Sequence, residues 1–98
     1  MLFAIRFVDK PAAIEVRRRL LDEHIAWLKQ HRSTILVAGS LRVNPEDHAI
    51  GGLWVVEAAS KSAVEQLIAT DPFWTHGLRE RCEVLHWAKA FPEERASV

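Results

Sequence analysis

The sequence predicts an α+β domain with the element order β-α-β-β-α-β. Four short apolar segments are each bounded by turn-forming residues, which is typical of strands. Two longer segments carry apolar residues at helical spacing. The chain has 98 residues, the size of one domain, and has no internal repeat or low-complexity tract.

The first half of the chain contains a strand, a long helix and a second strand. Residues 2–8 are apolar and end at Asp9-Lys10-Pro11, so they form the first predicted strand. Pro11 suits a helix start, and helical spacing continues from residue 12 to about residue 31. Residues 34–41 are rich in Ile, Leu and Val and form the second predicted strand.

The second half repeats this order after a turn at residues 44–47. Gly51-Gly52 lead into a third strand at 53–58, and Ser60 is a good N-cap for a helix that runs to about residue 69. Asp71-Pro72 ends that helix, since a residue before proline avoids the helical region. Residues 73–78 are a loop or a short helical turn, residues 83–90 a fourth strand, and residues 92–98 a short polar tail.

This order is the ferredoxin-like split β-α-β arrangement, an antiparallel sheet with both helices on one face. The strands are apolar on both faces, with Phe3 and Ile5 on one side of the first strand and Leu2 and Ala4 on the other. Because the helices cover only one face, we expect a homodimer that buries the other sheet face. The alternative is a monomer that tolerates an exposed apolar patch, and the sequence leaves open which face is the interface.

Composition excludes several classes of protein. Lysine plus arginine equals aspartate plus glutamate, and this zero net charge argues against a nucleic-acid binder. No apolar run approaches the roughly 20 residues that span a bilayer, and the N-terminus does not resemble a signal peptide. The lone Cys82 cannot form an intrachain disulfide, which indicates a cytoplasmic protein. No neighbouring base is evident, so Cys82 is interpreted as an ordinary strand residue rather than a nucleophile.

Arg17 and His24 interrupt the apolar stripe of the first helix. They lie two turns apart near the centre of the stripe, and a buried cation needs a carboxylate or a cavity. Such breaks in the pattern often mark functional sites. The alternatives are a core histidine bonded to a backbone carbonyl and an arginine whose stem reaches the helix edge.

Asp71 is the third candidate. Its alternative is a plain turn residue, because Asp-Pro commonly ends helices. In this fold, however, the end of the second helix approaches the middle of the first. A carboxylate there would orient His24 and set its tautomer.

Other residues are weaker candidates. The five histidines lack close ligand spacing, so we predict no metal. The four tryptophans together suggest an aromatic wall for a planar ligand. Singly, each is more often a core or interface residue. Trp74 is retained because it lies in the segment after Asp71. The tryptophans are Trp27, Trp54, Trp74 and Trp87.

From Met1 to about Phe91 the chain resembles the YCII-related family. The likeness rests on short motifs whose order and spacing are specific in combination. These are Arg17 with His24, followed by Ile25-Ala26-Trp27-Leu28; Val37-Ala38-Gly39-Ser40-Leu41; Gly51-Gly52; Asp71-Pro72-Phe73 with Gly77-Leu78; and the last strand through Trp87.

The resemblance implies a dimeric ferredoxin-like α/β barrel with an active-site histidine and aspartate at His24 and Asp71. It also implies that Arg17 is the family's helix arginine and that Ser40 lines the same pocket. Most members have no assigned reaction, some relatives are linked to dehydrochlorination of hydroxylated aromatics, and the wider superfamily includes muconolactone isomerases and small monooxygenases. The chain departs from the family at Arg32, where many relatives have glycine, and at His76, where a small residue is common.

The residues together favour a small-molecule enzyme that isomerises its substrate or eliminates a group from it, without a cofactor. His24 would be the general acid or base, Asp71 its orienting partner, and Arg17 the group that holds a substrate anion. Ser40, Trp74 and His76 are the further substrate-binding candidates, His76 because it narrows the pocket or adds a titratable group. The rival hypothesis is a non-catalytic dimeric module that binds a ligand in the same pocket.

Overall fold

Within the residues described, four strands and three helices follow one another in the predicted order. The computed structural model describes residues 1–94, so residues 95–98 of the predicted tail lie outside it. The strands are β1 (Leu2–Asp9), β2 (Ile35–Leu41), β3 (Gly51–Glu57) and β4 (Arg79–His86). The helices are α1 (Ile14–Gln30), α2 (Lys61–Ile68) and the short α3 (Pro72–Thr75), and a 3-10 turn at Pro11–Ala13 precedes α1.

The strands form one antiparallel sheet in the order β2-β3-β1-β4. Across its middle, Ile5 of β1 lies opposite Trp54 of β3 and Val84 of β4. A central β1 flanked by β3 and β4 is the arrangement expected for the split β-α-β order. The predicted ferredoxin-like α+β fold is therefore confirmed.

The two faces of the sheet differ in burial. Phe3, Ile5 and Phe7 are at most 1% exposed and lie in or against the core beneath the helices. Leu2 and Ala4, on the other face, are only partly buried within the single chain. The helices thus lie on the face that carries the phenylalanines, a choice that the sequence pattern left open.

Strand β2 does not alternate regularly. Regular alternation would place Ile35 and Val37 on one face, but the register shifts between them, so Val37 lies opposite Val55 on the face away from the helices. A β-bulge adds one residue to a strand and reverses the facing of those that follow. As a result, Ala38 and Ser40 lie on the helix side, opposite Trp54 and Gly52.

The predicted bounds of the fourth strand are wrong. It begins at Arg79, four residues before the predicted start at 83, and ends at His86. Its first pair joins Arg79 to Asp9 at the far end of β1. The charged residues there suggest a loop in the sequence, but β1 is long enough to pair with them, so they belong to the strand.

Helix α1 is the long helix beside the sheet. It buries Leu20, His24 and Trp27, and its C-cap is His31, whose backbone N–H donates to the carbonyl of Leu28. No helix in residues 1–94 combines the length and apolar character needed to cross a membrane.

Candidate functional site

His24 and Asp71 meet beneath α1, 47 residues apart in the chain. Nδ1 of His24 lies 2.7 Å from Oδ1 of Asp71, and their side chains are 9% and 0% exposed. An ionised carboxylate only accepts hydrogen bonds, so Nδ1 carries the hydrogen and Nε2 of the neutral ring presents its lone pair. The partner of His24 is therefore a carboxylate, in contrast to the alternative of a backbone carbonyl.

Asp71 is also the N-cap of α3. Its Oδ1 accepts the backbone N–H of Phe73 at 3.1 Å, and its extended backbone is the conformation that a residue before proline prefers. The ring of Phe73 stacks on His24 with centroids 3.9 Å apart and planes 12° apart. One oxygen of Asp71 thus both caps α3 and pairs with His24. The stacked ring of Phe73 restricts the orientation of the imidazole plane.

Arg17 pairs with a carboxylate that the sequence analysis did not single out. Its Nε and Nη2 lie 3.1 and 2.8 Å from Oδ2 of Asp9, and Nη2 also donates to the carbonyl of Gly51 at 3.3 Å. Asp9 ends β1, one residue before the chain turns toward α1. Arg17 thus neither reaches the helix edge nor pairs with Asp71.

Arg79 holds the other oxygen of the same carboxylate. Its Nη1 donates to Oδ1 of Asp9 at 2.7 Å, and its side chain is 2% exposed. The guanidinium carbon lies 4.4 Å from the centroid of Phe7 and 5.2 Å from that of Phe73. Burial lowers the pKa of Arg79, although Asp9 acts in the opposite direction. Asp9 therefore fixes two arginines at once.

Two polar atoms at this site are buried without a hydrogen-bond partner in the part of the chain that the structure describes. They are Oδ2 of Asp71 and Nε of Arg79. Nε2 of His24 also has no protein partner there, but it is not sealed from solvent as those two atoms are. The accessible ring nitrogen is thus the one that can exchange a proton with a ligand.

A cavity of about 540 Å³ lies between α1 and the β2 side of the sheet. His24, Arg17, Arg79 and Ser40 contribute to its walls. In the described chain its lining includes no aspartate or glutamate. The remaining lining residues are Ile14, Arg18, Leu21, Ile25, Leu28, Ala38, Gly39, Arg42, His48, Ala49 and Trp54. A lining of guanidinium and imidazole groups together with apolar side chains suits a small anion with an apolar body.

The predicted binding residues separate into two groups. Ser40 lines the cavity, and its hydroxyl accepts a hydrogen bond from Nη2 of Arg42 at 2.7 Å. Trp74 is 37% exposed on α3, and neither it nor His76 is among the lining residues. His76 caps α3 instead, with Nδ1 3.0 Å from the carbonyl of Pro72. The short helix, where a loop was one expectation, holds both side chains away from the cavity.

Asp9 and Arg79 are the site residues that sequence reasoning missed. Asp9 was interpreted as part of a turn, and Arg79 lay outside the predicted strand. One signal was available, since the buried Arg17 required a carboxylate, and Asp9 precedes the same helix. No comparable signal pointed to Arg79.

No group of three or more His, Cys, Asp or Glu side chains that could hold a metal ion occurs in residues 1–94. The donors at the cavity are instead guanidinium and imidazole groups. Guanidinium is a hydrogen-bond donor to anions and has no acceptor for a cation. The described site is thus chemically suited to an anionic organic ligand.

Fold and site together define a small ferredoxin-like α+β protein with a buried His-Asp pair at a basic cavity. The YCII-related domain model matches residues 1–88, and the chain therefore belongs to the YCII-related family. No curated protein sequence matches the chain significantly.

Solved structures share this fold. The chain is similar to 5-chloro-2-hydroxyhydroquinone dehydrochlorinase from Burkholderia phenoliruptrix, solved with 2,5-dihydroxybenzoquinone, at 28% identity and a TM-score of 0.81, over 90% of this chain and 94% of that one. It is also similar in fold to a NIPSNAP family protein from Agrobacterium tumefaciens, at 14% identity and a TM-score of 0.55, over 96% and 97% of the two chains.

Proposed function

We propose that this protein is a lyase-like enzyme that uses His24 as a general base and Asp71 as its orienting partner. The observation that carries the proposal is the 2.7 Å contact between Nδ1 of His24 and Asp71, which leaves Nε2 as the accessible base. Such a base must reach the substrate proton directly or through one water. The basic cavity beside it supplies a place for an anionic substrate.

The cavity and the similarity to a dehydrochlorinase support a chlorinated, hydroxylated aromatic as the substrate class. A chlorinated hydroxylated aromatic has hydroxyl protons for His24 to remove, and its oxyanion suits the arginines. Overall, one proton and one chloride ion leave the substrate, and the chloride takes the bonding electrons, so this reaction consumes no external oxidant. Because charge develops next to fixed guanidinium groups, the cavity would stabilise the transition state more than water does.

The test is chloride release from 5-chloro-2-hydroxyhydroquinone in the absence of oxygen. We expect His24→Gln to lower kcat by roughly 10²–10⁴-fold, the usual contribution of general acid-base catalysis. Asp71→Asn should also lower kcat, because asparagine can keep the cap of α3 but no longer stabilises an imidazolium. His86→Gln is the matched control, since this exposed histidine lies at the far end of β4 and does not line the cavity.

The outcomes separate the proposal from its rival. Undiminished turnover in His24→Gln would contradict the assignment of the base. Binding of the substrate by the wild-type protein without chloride release would instead favour a non-catalytic ligand-binding module.

A further inference from the structure

We propose that Arg79 is the residue that binds the anionic oxygen of a planar, singly charged substrate. The choice of cavity rests on the proposed function, whereas the assignment of Arg79 rests on four observations. They are the route of its side chain, its uncommitted donors, the charge around the cavity and the shape of the walls.

The side chain of Arg79 crosses the sheet to reach the cavity. It starts at β4, passes over the ring of Phe7 in β1 and ends beside Gly52 in β3. A Cβ at Gly52 would lie 3.2 Å from the carbonyl oxygen of Gly39 and 3.4 Å from Nη2 of Arg79. Glycine at this position therefore leaves room for the guanidinium to lie on the sheet at the floor of the cavity, next to Ser40, which pairs with Gly52.

Arg79 also has donors to spare. Arg17 commits Nε and Nη2 to Asp9, whereas Arg79 commits only Nη1. In the described chain Nη2 of Arg79 has no hydrogen-bond partner and, unlike Nε, is not sealed from solvent. A guanidinium held by one edge with a free arm in a cavity is suited to a carboxylate or an enolate.

The charges around the cavity favour one negative charge on the ligand. Four arginines line the cavity, while the neighbouring carboxylates lie behind or outside the lining. Asp9 binds Arg17 and Arg79, Asp71 binds His24, and Glu15 pairs with the exposed Arg18. With neutral histidines, this set carries one net positive charge. It belongs to the exposed Arg42, because the charges of Arg17, Arg79, Asp9 and Asp71 balance. A ligand with one negative charge would neutralise the set, and the basic lining would attract it.

The walls favour a flat ligand body. Trp54 lies on the sheet side, and Leu21, Ile25 and Leu28 line the α1 side. The guanidinium of Arg79 is itself planar and lies on an aromatic ring. An aromatic or conjugated ring would place its apolar faces between these walls and its anionic oxygen at Arg79.

Benzoate and benzamide provide the test, because they share a shape but differ in charge. Binding is measured by nuclear magnetic resonance titration of the full-length protein. We expect wild type to prefer benzoate, and Arg79→Gln to weaken benzoate binding by roughly ten- to a hundredfold, the value of a hydrogen bond to a charged group. Benzamide binding should change little. Arg81→Gln is the control, because Arg81 lies on the same strand but outside this cavity.

Arg79→Lys covers the case in which Arg79→Gln does not fold. Lysine keeps a cation beside Asp9 but loses the second arm, so we expect benzoate binding to fall while the thermal unfolding curve stays cooperative. Equal benzoate affinity in wild type and either folded Arg79 variant would overturn the proposal. So would equal binding of benzoate and benzamide by wild type.

These measurements do not depend on turnover. His86→Gln, outside the cavity, should bind benzoate as wild type does. If chloride release fails but binding depends on Arg79, the proposed reaction falls and the assignment of Arg79 stands. If His24-dependent turnover is found but Arg79→Gln binds benzoate normally, the assignment of Arg79 falls and the proposed reaction stands.

Discussion

Asp9 is the residue on which the buried charges of the site depend. Its two oxygens are divided between Arg17 and Arg79, at 2.8 and 2.7 Å. The three side chains are 6%, 15% and 2% exposed, so water screens them little. Removal of the carboxylate would leave two cations without their partner in a poorly solvated place.

We predict that Asp9→Asn lowers the free energy of unfolding by about 3–5 kcal/mol, the cost of breaking a buried ion pair. Urea denaturation measures the change. Glu15→Gln is the control, because the Glu15–Arg18 pair is exposed on both sides and should contribute nothing measurable. Similar urea midpoints for the two variants would contradict the buried-charge account.

Cys82 gives a residue-scale prediction about pH. Burial raises the pKa of its thiol, Glu65 adds to the rise, and Arg79 opposes it. The rate of alkylation by iodoacetamide should therefore rise at higher pH in the folded protein than in urea. With one cysteine in the chain, the reagent reports this site alone. Coincident pH profiles would disprove the shift.

The same shift has a consequence for stability. Because the unfolded thiol ionises first, the contribution of Cys82 to stability is present below the ordinary thiol pKa. It is lost as the pH rises through the higher pKa of the folded thiol. Cys82→Ala should remove this part of the decline in stability at alkaline pH.

At the scale of elements, the start of β3 determines how closely the strands and the site residues approach. A Cβ at Gly51 would lie only 2.0 Å from the carbonyl oxygen of Phe7, which is backbone and cannot move aside cheaply. The carbonyl of Gly51 also accepts a hydrogen bond from Arg17. Gly51 thus permits the close pairing of β1 with β3, and its carbonyl holds Arg17 at the site.

We predict that Gly51→Ala lowers the free energy of unfolding by about 1–3 kcal/mol or more, as overpacking does. Gly39→Ala in the edge strand β2 is the matched control, because a Cβ added at Gly39 would meet nothing within 4 Å. Guanidinium denaturation compares the two variants. The steric explanation is wrong if Gly39→Ala is as destabilising as Gly51→Ala.

At the scale of the whole molecule, the main open feature is the sheet face opposite the helices, which no element of residues 1–94 covers. Leu53 is 39% exposed and Leu85 is 52% exposed on this face. The cross-strand partners Arg6 and Glu83 lie among these apolar residues. A homodimer through this face remains a prediction, now restricted to the face opposite the helices.

We expect micromolar protein to sediment as a dimer and Leu85→Glu, directly opposite Ala4, to shift it toward monomer, because a buried, unpaired charge is costly. Gln66→Glu adds the same charge on an exposed position of α2 and should leave the dimer intact. A wild-type monomer at this concentration would refute the prediction. The core residues Phe3 and Ile5 are unsuitable test positions, since a charge there would unfold the chain.

Local pattern accounts for what the sequence predicted about the architecture. Alternation and helical spacing, with Pro11, Ser60 and Pro72 at the boundaries, indicated the element order and hence the fold. The break in the stripe of α1 drew attention to Arg17 and His24. These signals can be recognised in the sequence because each involves residues that are close together along the chain, within one helical turn or one strand.

The sequence by itself determined the α+β element order, the likeness to the YCII-related family, and His24, Asp71 and Arg17 as the residues to examine. Tertiary structure alone decided which face of the sheet the helices cover, and it added Asp9 and Arg79 to the site. The contact between those two residues joins positions 70 residues apart, at the paired ends of β1 and β4. No local periodicity encodes such a contact, because it arises only when strand pairing brings distant charges together and burial makes each require the other.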